Sequence, residues 1–320
     1  MMLVTLAACT ISLAIGDDAA ATAPLRVGVS SPLIADWVAA VGGSMVQVTT
    51  LGATGADAHH WEPAPSDAAA ARSAAVTFVM GLGTDSGVAA FTKAAGGSGP
   101  VVELGAGLAR PGRHARDEHD DHHHDGPHDR PHDDAAVDPH IWHDPQRVSQ
   151  MIDRIEAALA AARTDQRGAF AVRATAYKAE LAALDKWIRE QIELVPAAKR
   201  VIVSTHDGLS YFAERYGCRV VGTDLSATSG HADPSPKSVA QLVHAVRESG
   251  ARAVIADPAH GAALARTVAR EAAVAFVDCV HLDSLPSRAK GDTTAPLQAG
   301  TAYGAMMRAN TLCIVEALRP

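Results

Sequence analysis

The apolar positions change their period along the chain, and each change marks an element. Short apolar runs at residues 25–30, 46–50, 75–80 and 100–104 read as buried strands. Helical pieces fall between them, from Ser31-Pro32 to residue 41, at 66–72 and at 85–94. From residue 145 the pattern turns helical and hardly stops until Val195, which predicts two helices at 145–162 and 165–193. In the second of these, Tyr177, Leu181, Leu184, Ile188 and Ile192 recur at intervals of three and four, one helical face. At 1.5 Å per residue that helix is about 40 Å long, enough to run the length of two lobes. Pro196 ends it, and without an internal glycine beyond Gly168 it is stiff.

After Pro196 the alternation starts again. Strands are predicted at 200–204, 218–222, 253–257 and 275–280, and helices at 211–216, 236–249, 261–271 and 303–318. Strands alternating with helices indicate parallel sheets. The expected fold is therefore α/β: two similar lobes, each a parallel sheet flanked by helices, joined by a long rigid backbone helix. Ligands of such sheets gather at the carboxyl ends of the strands, so a cleft between the lobes is the expected site. The domain boundaries read as an export signal at 1–23, an N-terminal lobe at 24–143, a helical segment at 144–195 and a C-terminal lobe at 196–320.

Composition sharpens this picture. Apolar residues make up 48% of the chain but aromatics only 4%, so the cores are built mainly from Ala, Val, Leu and Ile. The net charge of −8 argues against nucleic acid, which asks for a basic face. Much of that charge is local. Between His114 and Asp134 stand seven histidines and eight carboxylates with almost nothing apolar, a composition that predicts a disordered loop over 113–134.

Residues 1–16 are uncharged and largely apolar, too short for a membrane helix and of the length of a signal-peptide hydrophobic region. Within them Leu6-Ala7-Ala8-Cys9 resembles a lipobox, so the protein is expected in the periplasm or cell envelope, with Cys9 as its lipid anchor or cleavage falling later, at 19–23. Export permits disulfides. Besides Cys9 the cysteines are Cys218, Cys279 and Cys313, so at most one internal bridge forms. Cys279 in the last strand and Cys313 in the closing helix are the expected pair, leaving Cys218 as a thiol. Three buried reduced cysteines are the alternative.

The chemistry concentrates in Asp138-Pro139-His140-Ile141-Trp142-His143-Asp144-Pro145. Neutral imidazole is the commonest side-chain metal ligand, and a proline on each flank restrains the backbone. Three more clusters lie at predicted strand ends: Asp57-Ala58-His59-His60-Trp61-Glu62-Pro63, Thr205-His206-Asp207-Gly208 and His281-Leu282-Asp283-Ser284.

These motifs, in this order and around a long helix, resemble the substrate-binding proteins of bacterial zinc and manganese ABC transporters, over nearly the whole mature chain. The family's Asp-Pro-His-x-aromatic-Glu-Pro motif matches residues 57–63 with Ala58 in place of proline. Its Asp-Pro-His-x-Trp-x-Asp-Pro motif matches residues 138–145. A His or Glu after the first strand of the second lobe, then a Gly and an aromatic-Phe pair, matches His206, Gly208 and Tyr211-Phe212. An Asp after the last strand matches Leu282-Asp283-Ser284-Leu285, with Asp278 as a rival. The resemblance implies a metal site of His59, His140, His206 and Asp283; His60, adjacent to His59, and His143, as an HxxH with His140, stay open as alternative ligands. His231, His244, His260 and His281 read as surface or structural residues.

Three imidazoles and one carboxylate suit tetrahedral Zn²⁺ as cargo, ahead of Mn²⁺, which prefers oxygen donors. The resemblance also implies a membrane ABC permease as partner, with a periplasmic zinc chaperone as a further one, and a monomer. Four protein ligands leave no water-bearing position, which speaks against an enzyme. The rival readings are a secreted zinc hydrolase using Glu62 as base, although no HExxH is present, and a periplasmic zinc buffer or adhesin.

Overall fold

The computed structural model of the chain describes residues 23–52, 63–109, 137–204, 208–221, 236–258, 262–283, 285 and 301–319. His59, His60, Glu62, His206, His231, His260, Cys9 and the 113–134 tract lie outside these residues.

Among the described residues two four-stranded parallel sheets form. In the N-terminal lobe β1 (Leu25–Val29), β2 (Val46–Thr50), β3 (Val76–Val79) and β4 (Val101–Glu103) take the order β2-β1-β3-β4. In the C-terminal lobe β5 (Val201–Ser204), β6 (Arg219–Val221), β7 (Ala253–Ile255) and β8 (Ala275–Val277) take the same order, β6-β5-β7-β8. Pairing is parallel throughout, as in Val27↔Val48 and Val203↔Val254. Fully buried runs such as Val76–Val79 and Val201–Ser204 are what a sheet covered on both faces requires.

The helices that cover the sheets are α1 (Pro32–Gly42), α2 (Asp67–Ser73), α3 (Ser86–Ala94), α4 (Pro145–Ala162), α5 (Arg167–Glu193), α6 (Ser210–Tyr216), α7 (Pro236–Ser249), α8 (Ala263–Ala272) and α9 (Ala302–Leu318). Local chemistry sets their ends. Ser31 caps α1 by accepting from the Ile34 N–H, with Pro32 in the first turn. Asp144 caps α4 in the same way, accepting from the Gln146 N–H at 2.9 Å, with Pro145 next. The second Asp-Pro of the motif is thus a helix start.

The expected face of α5 is buried: Tyr177, Leu181, Leu184, Ile188 and Ile192 are all inside, joined by Phe170 and Ala174 at its N-terminal end. Residues 164–166 form a 3₁₀ turn rather than the first turn of α5, so the α-helix starts two residues later than its pattern suggested. The helix packs on α4, on α1 of one lobe and on α9 of the other. One apolar core therefore runs from Trp37 and Phe78 through Leu181 and Leu184 to Tyr303 and Ile314, without a break between lobes. Two smaller clusters fill the outer faces, one around Val254 and Val268, one around Leu51 and Val88.

Cys279 and Cys313 form the disulfide, and Cys218 is the free thiol among the described cysteines. The bridge ties the segment leaving β8 to α9. That strand is shorter than its apolar run predicted: it stops at Val277, and residues 278–283 leave the sheet. No helix among the described residues is long and apolar enough to cross a membrane.

Candidate metal centre

His140 ends the extended Asp138-Pro139 segment and opens a 3₁₀ turn over Ile141–His143. Asp138 makes this turn possible. Its Oδ1 accepts from the His140 N–H at 2.9 Å and pairs with the His140 Nδ1 at 2.8 Å. The Nδ1 proton is thereby committed, and Nε2 points out of the N-terminal lobe. There it meets Oδ1 of Asp283, from the C-terminal lobe, at 3.3 Å, with the two side chains 5% and 2% exposed. An imidazole nitrogen and a carboxylate from opposite lobes, the imidazole held from behind by a second carboxylate, is an arrangement suited to a divalent cation.

Burial and hydrogen bonding set the charges here. Burial opposes ionisation of Asp138, but hydrogen bonds from His140 and Ser210 outweigh it and hold the carboxyl at about 2. Burial likewise opposes the His140 imidazolium, and the hydrogen bonds and charges of Asp138 and Asp283 outweigh it, raising His140 well above the ordinary histidine range. A metal at Nε2 must displace that proton.

His143 does something else. Although three residues from His140, it turns its Nε2 to a backbone carbonyl rather than to Asp283. Its Nε2 lies 3.0 Å from the Leu282 carbonyl, which can only accept, so Nε2 carries the proton. Burial, with the positive His140 nearby, pushes its pKa down to about 4, so the ring is neutral at pH 7. The Trp142 indole N–H donates to the same carbonyl at 2.7 Å. Tyr303 at the start of α9 donates in turn to the Trp142 carbonyl at 2.7 Å.

Asp278, the rival of Asp283, lies away from this pair: it is 46% exposed and ion-paired with Arg266 at 2.7 Å. The segments carrying the other two expected ligands are outside the described residues, but their neighbours are placed. The chain re-enters at Gly208, where an added Cβ would stand 3.4 Å from His140 Cδ2, so Gly208 itself lies against the His140 ring. On the other side, Asp67 accepts from both the Gly52 and Ala64 N–H groups, gathering the two ends of the segment that contains His59. His244 is exposed on α7, and the His281 peptide is held by Asn310.

Several positioning groups were not singled out from sequence. Asp138 read only as part of an Asp-Pro pair, though an Asp two residues before a histidine could have been read as its hydrogen-bond partner. Asp257 and Asn310 carried no local signal beyond being polar in apolar surroundings.

Residues 27–317 match the family described as "Zinc-uptake complex component A periplasmic". The chain belongs to that family. Among its curated relatives is the manganese-binding lipoprotein MntA of Halalkalibacterium halodurans, 26% identical over 84% of this chain and 83% of the relative. The zinc-binding lipoprotein AdcA of Streptococcus pneumoniae is 30% identical over 54% of this chain and 32% of its own, longer chain. In three dimensions the chain is similar to a manganese-bound variant of a periplasmic metal-binding protein from Candidatus Liberibacter asiaticus. The TM-score is 0.74 and the identity 22%, over 92% of this chain and 99% of the other. The protein is accordingly a metal-binding receptor of an ABC importer, and not an enzyme. The secreted hydrolase is set aside.

Proposed function

We propose that this receptor carries Zn²⁺, held between the lobes by His59, His140, His206 and Asp283, and delivers it to the membrane permease of a zinc importer. The observation that carries the reading is the 3.3 Å approach of His140 Nε2 and Asp283 Oδ1 from opposite lobes. With His59 and His206 the donor set becomes three imidazoles and one carboxylate, which favours four-coordinate zinc. A family description naming zinc uptake supports the same metal. Manganese is the second reading, because relatives named for manganese match over most of their length. The export signal at residues 1–23, a lipid anchor at Cys9 and zinc gathering by the 113–134 tract belong to this proposal.

The test is anomalous scattering at the zinc edge on metal-loaded crystals, with a competitive zinc titration of Asp283→Ala against Asp278→Ala. Zinc with four protein ligands and a loss of affinity confined to Asp283→Ala are expected. Loss confined to Asp278→Ala, or water in the place of Asp283, refutes the ligand set. If deleting the gene lowers manganese uptake and leaves zinc uptake intact, the metal is manganese.

A further inference from the structure

The carboxylate of Asp283 is only as well placed as the backbone that carries it. That backbone is held on three sides. Asn310 in α9 clamps the His281 peptide, accepting from its N–H at 2.8 Å and donating to its carbonyl at 2.7 Å. Asp257, just past β7, accepts from the Leu282 N–H at 2.7 Å. The third hold comes from the other lobe: the Leu282 carbonyl receives the Trp142 indole at 2.7 Å and the His143 imidazole at 3.0 Å. A carbonyl has two lone pairs, so these two donors saturate it. Asp283 is the next residue, facing His140.

The Leu282 peptide group, one residue from the carboxylate, is therefore a point at which the two lobes are registered against each other, beside the Tyr303–Trp142 and Ser210–Asp138 bonds. His143 lies fully inside this joint. With Nε2 spent on the carbonyl it cannot also point that nitrogen at a metal. An apolar side chain of similar volume would fill the space and leave half of the carbonyl's bonding capacity unmet.

We propose that His143 is a positioning residue for metal binding: by donating to the Leu282 carbonyl it sets the geometry at which Asp283 meets His140 across the lobes. This rests on the reading that His140 and Asp283 hold the metal. Groups that orient metal ligands without touching the metal typically change affinity by about 10–100-fold when removed.

The experiment compares the wild-type chain with His143→Leu, His143→Gln and, as a control on the site itself, His140→Ala. Glutamine keeps an N–H donor within reach of the carbonyl; leucine keeps volume and removes the donor. Zinc affinity is read by chelator competition. The visible spectrum of the Co²⁺-loaded protein reads the coordination geometry, which a purely structural role for His143 would leave unchanged. His143→Leu is expected to weaken zinc binding roughly 10–100-fold and to alter the cobalt spectrum. His143→Gln is expected to restore both. The inference is overturned if His143→Leu binds zinc as tightly as wild type with the same spectrum. It is equally overturned if a folded His143→Gln binds as weakly as the leucine variant. Should His143→Leu fail to fold, His143→Gln decides alone: wild-type affinity and spectrum support the inference, and weakened binding in the folded protein refutes it. If His140→Ala binds zinc like wild type, the assigned site is wrong and the inference falls with it, a result distinct from any His143 outcome.

Discussion

The buried His143 makes a prediction about acid stability that needs no metal. Its pKa falls from 6.5 to about 4 on folding. The unfolded chain takes up the proton first as pH drops, and the folded chain resists it. A depressed folded pKa therefore contributes stability that is present above pH 6.5 and is lost as pH falls towards 4. At pH 5 the loss amounts to about 2 kcal/mol, and the slope between the two values approaches about 1.4 kcal/mol per pH unit. His140 works in the opposite sense. Its folded pKa is raised, so its contribution is present below the unfolded value and is lost as pH rises through the folded one. Comparison with a variant isolates His143 from this. Urea unfolding of chelator-treated wild type and His143→Leu, at half-unit steps from pH 4.5 to 7.5, should give a steeper acid decline in the wild type. The lost hydrogen bond displaces the whole leucine curve and leaves its slope unaffected. Parallel curves, with no slope difference below pH 6.5, would refute the argument that His143 is held neutral by burial.

The joint around Asp283 leads to two more expected outcomes. Tyr303→Phe leaves the buried Trp142 carbonyl without its 2.7 Å donor and should cost about 1–3 kcal/mol, lowering the thermal midpoint by roughly 2–4 °C per kcal/mol; an unchanged midpoint would mean that water takes over the bond. Replacing Cys279 and Cys313 together by alanine opens a bridge of sequence separation 34 and should cost about 4 kcal/mol by loop-closure entropy. Thiol counting on the unfolded, unreduced chain from residue 23 onward should find Cys218 alone; three thiols would remove the bridge.

Much of the fold was legible in the sequence because its elements are written in local periodicity. The seven-residue spacing from Tyr177 to Leu184 marks one face of α5, and that face is buried in the structure. The parallel runs at β1, β3, β5 and β7 are apolar enough to be read as strands covered on both sides. The ends were less legible. The apolar run 275–280 reads as one strand, yet pairing with β7 stops at Val277. Residues 278–283 are drawn out of the sheet by the Cys279–Cys313 bridge, Asn310 and Asp257. Strand pairing is a matter of partners, which a periodicity does not contain.

The candidate site divides along the same line. The Asp-Pro-His-x-Trp pattern sufficed to point to His140, because proline, capping aspartate and imidazole act within a few residues of one another. The family pattern at Leu282-Asp283-Ser284-Leu285 pointed to Asp283 with Asp278 as its rival; the physical reason lies in tertiary packing, which sets one 3.3 Å from His140 and leaves the other on the surface with Arg266. The role of His143 is of the same kind. In sequence it is half of an HxxH; in the folded chain its proton goes to a carbonyl 139 residues away. Sequence determined which groups could bind a metal. Which of them face one another is decided by how two lobes, built from separate stretches of chain, register across a shared helical layer.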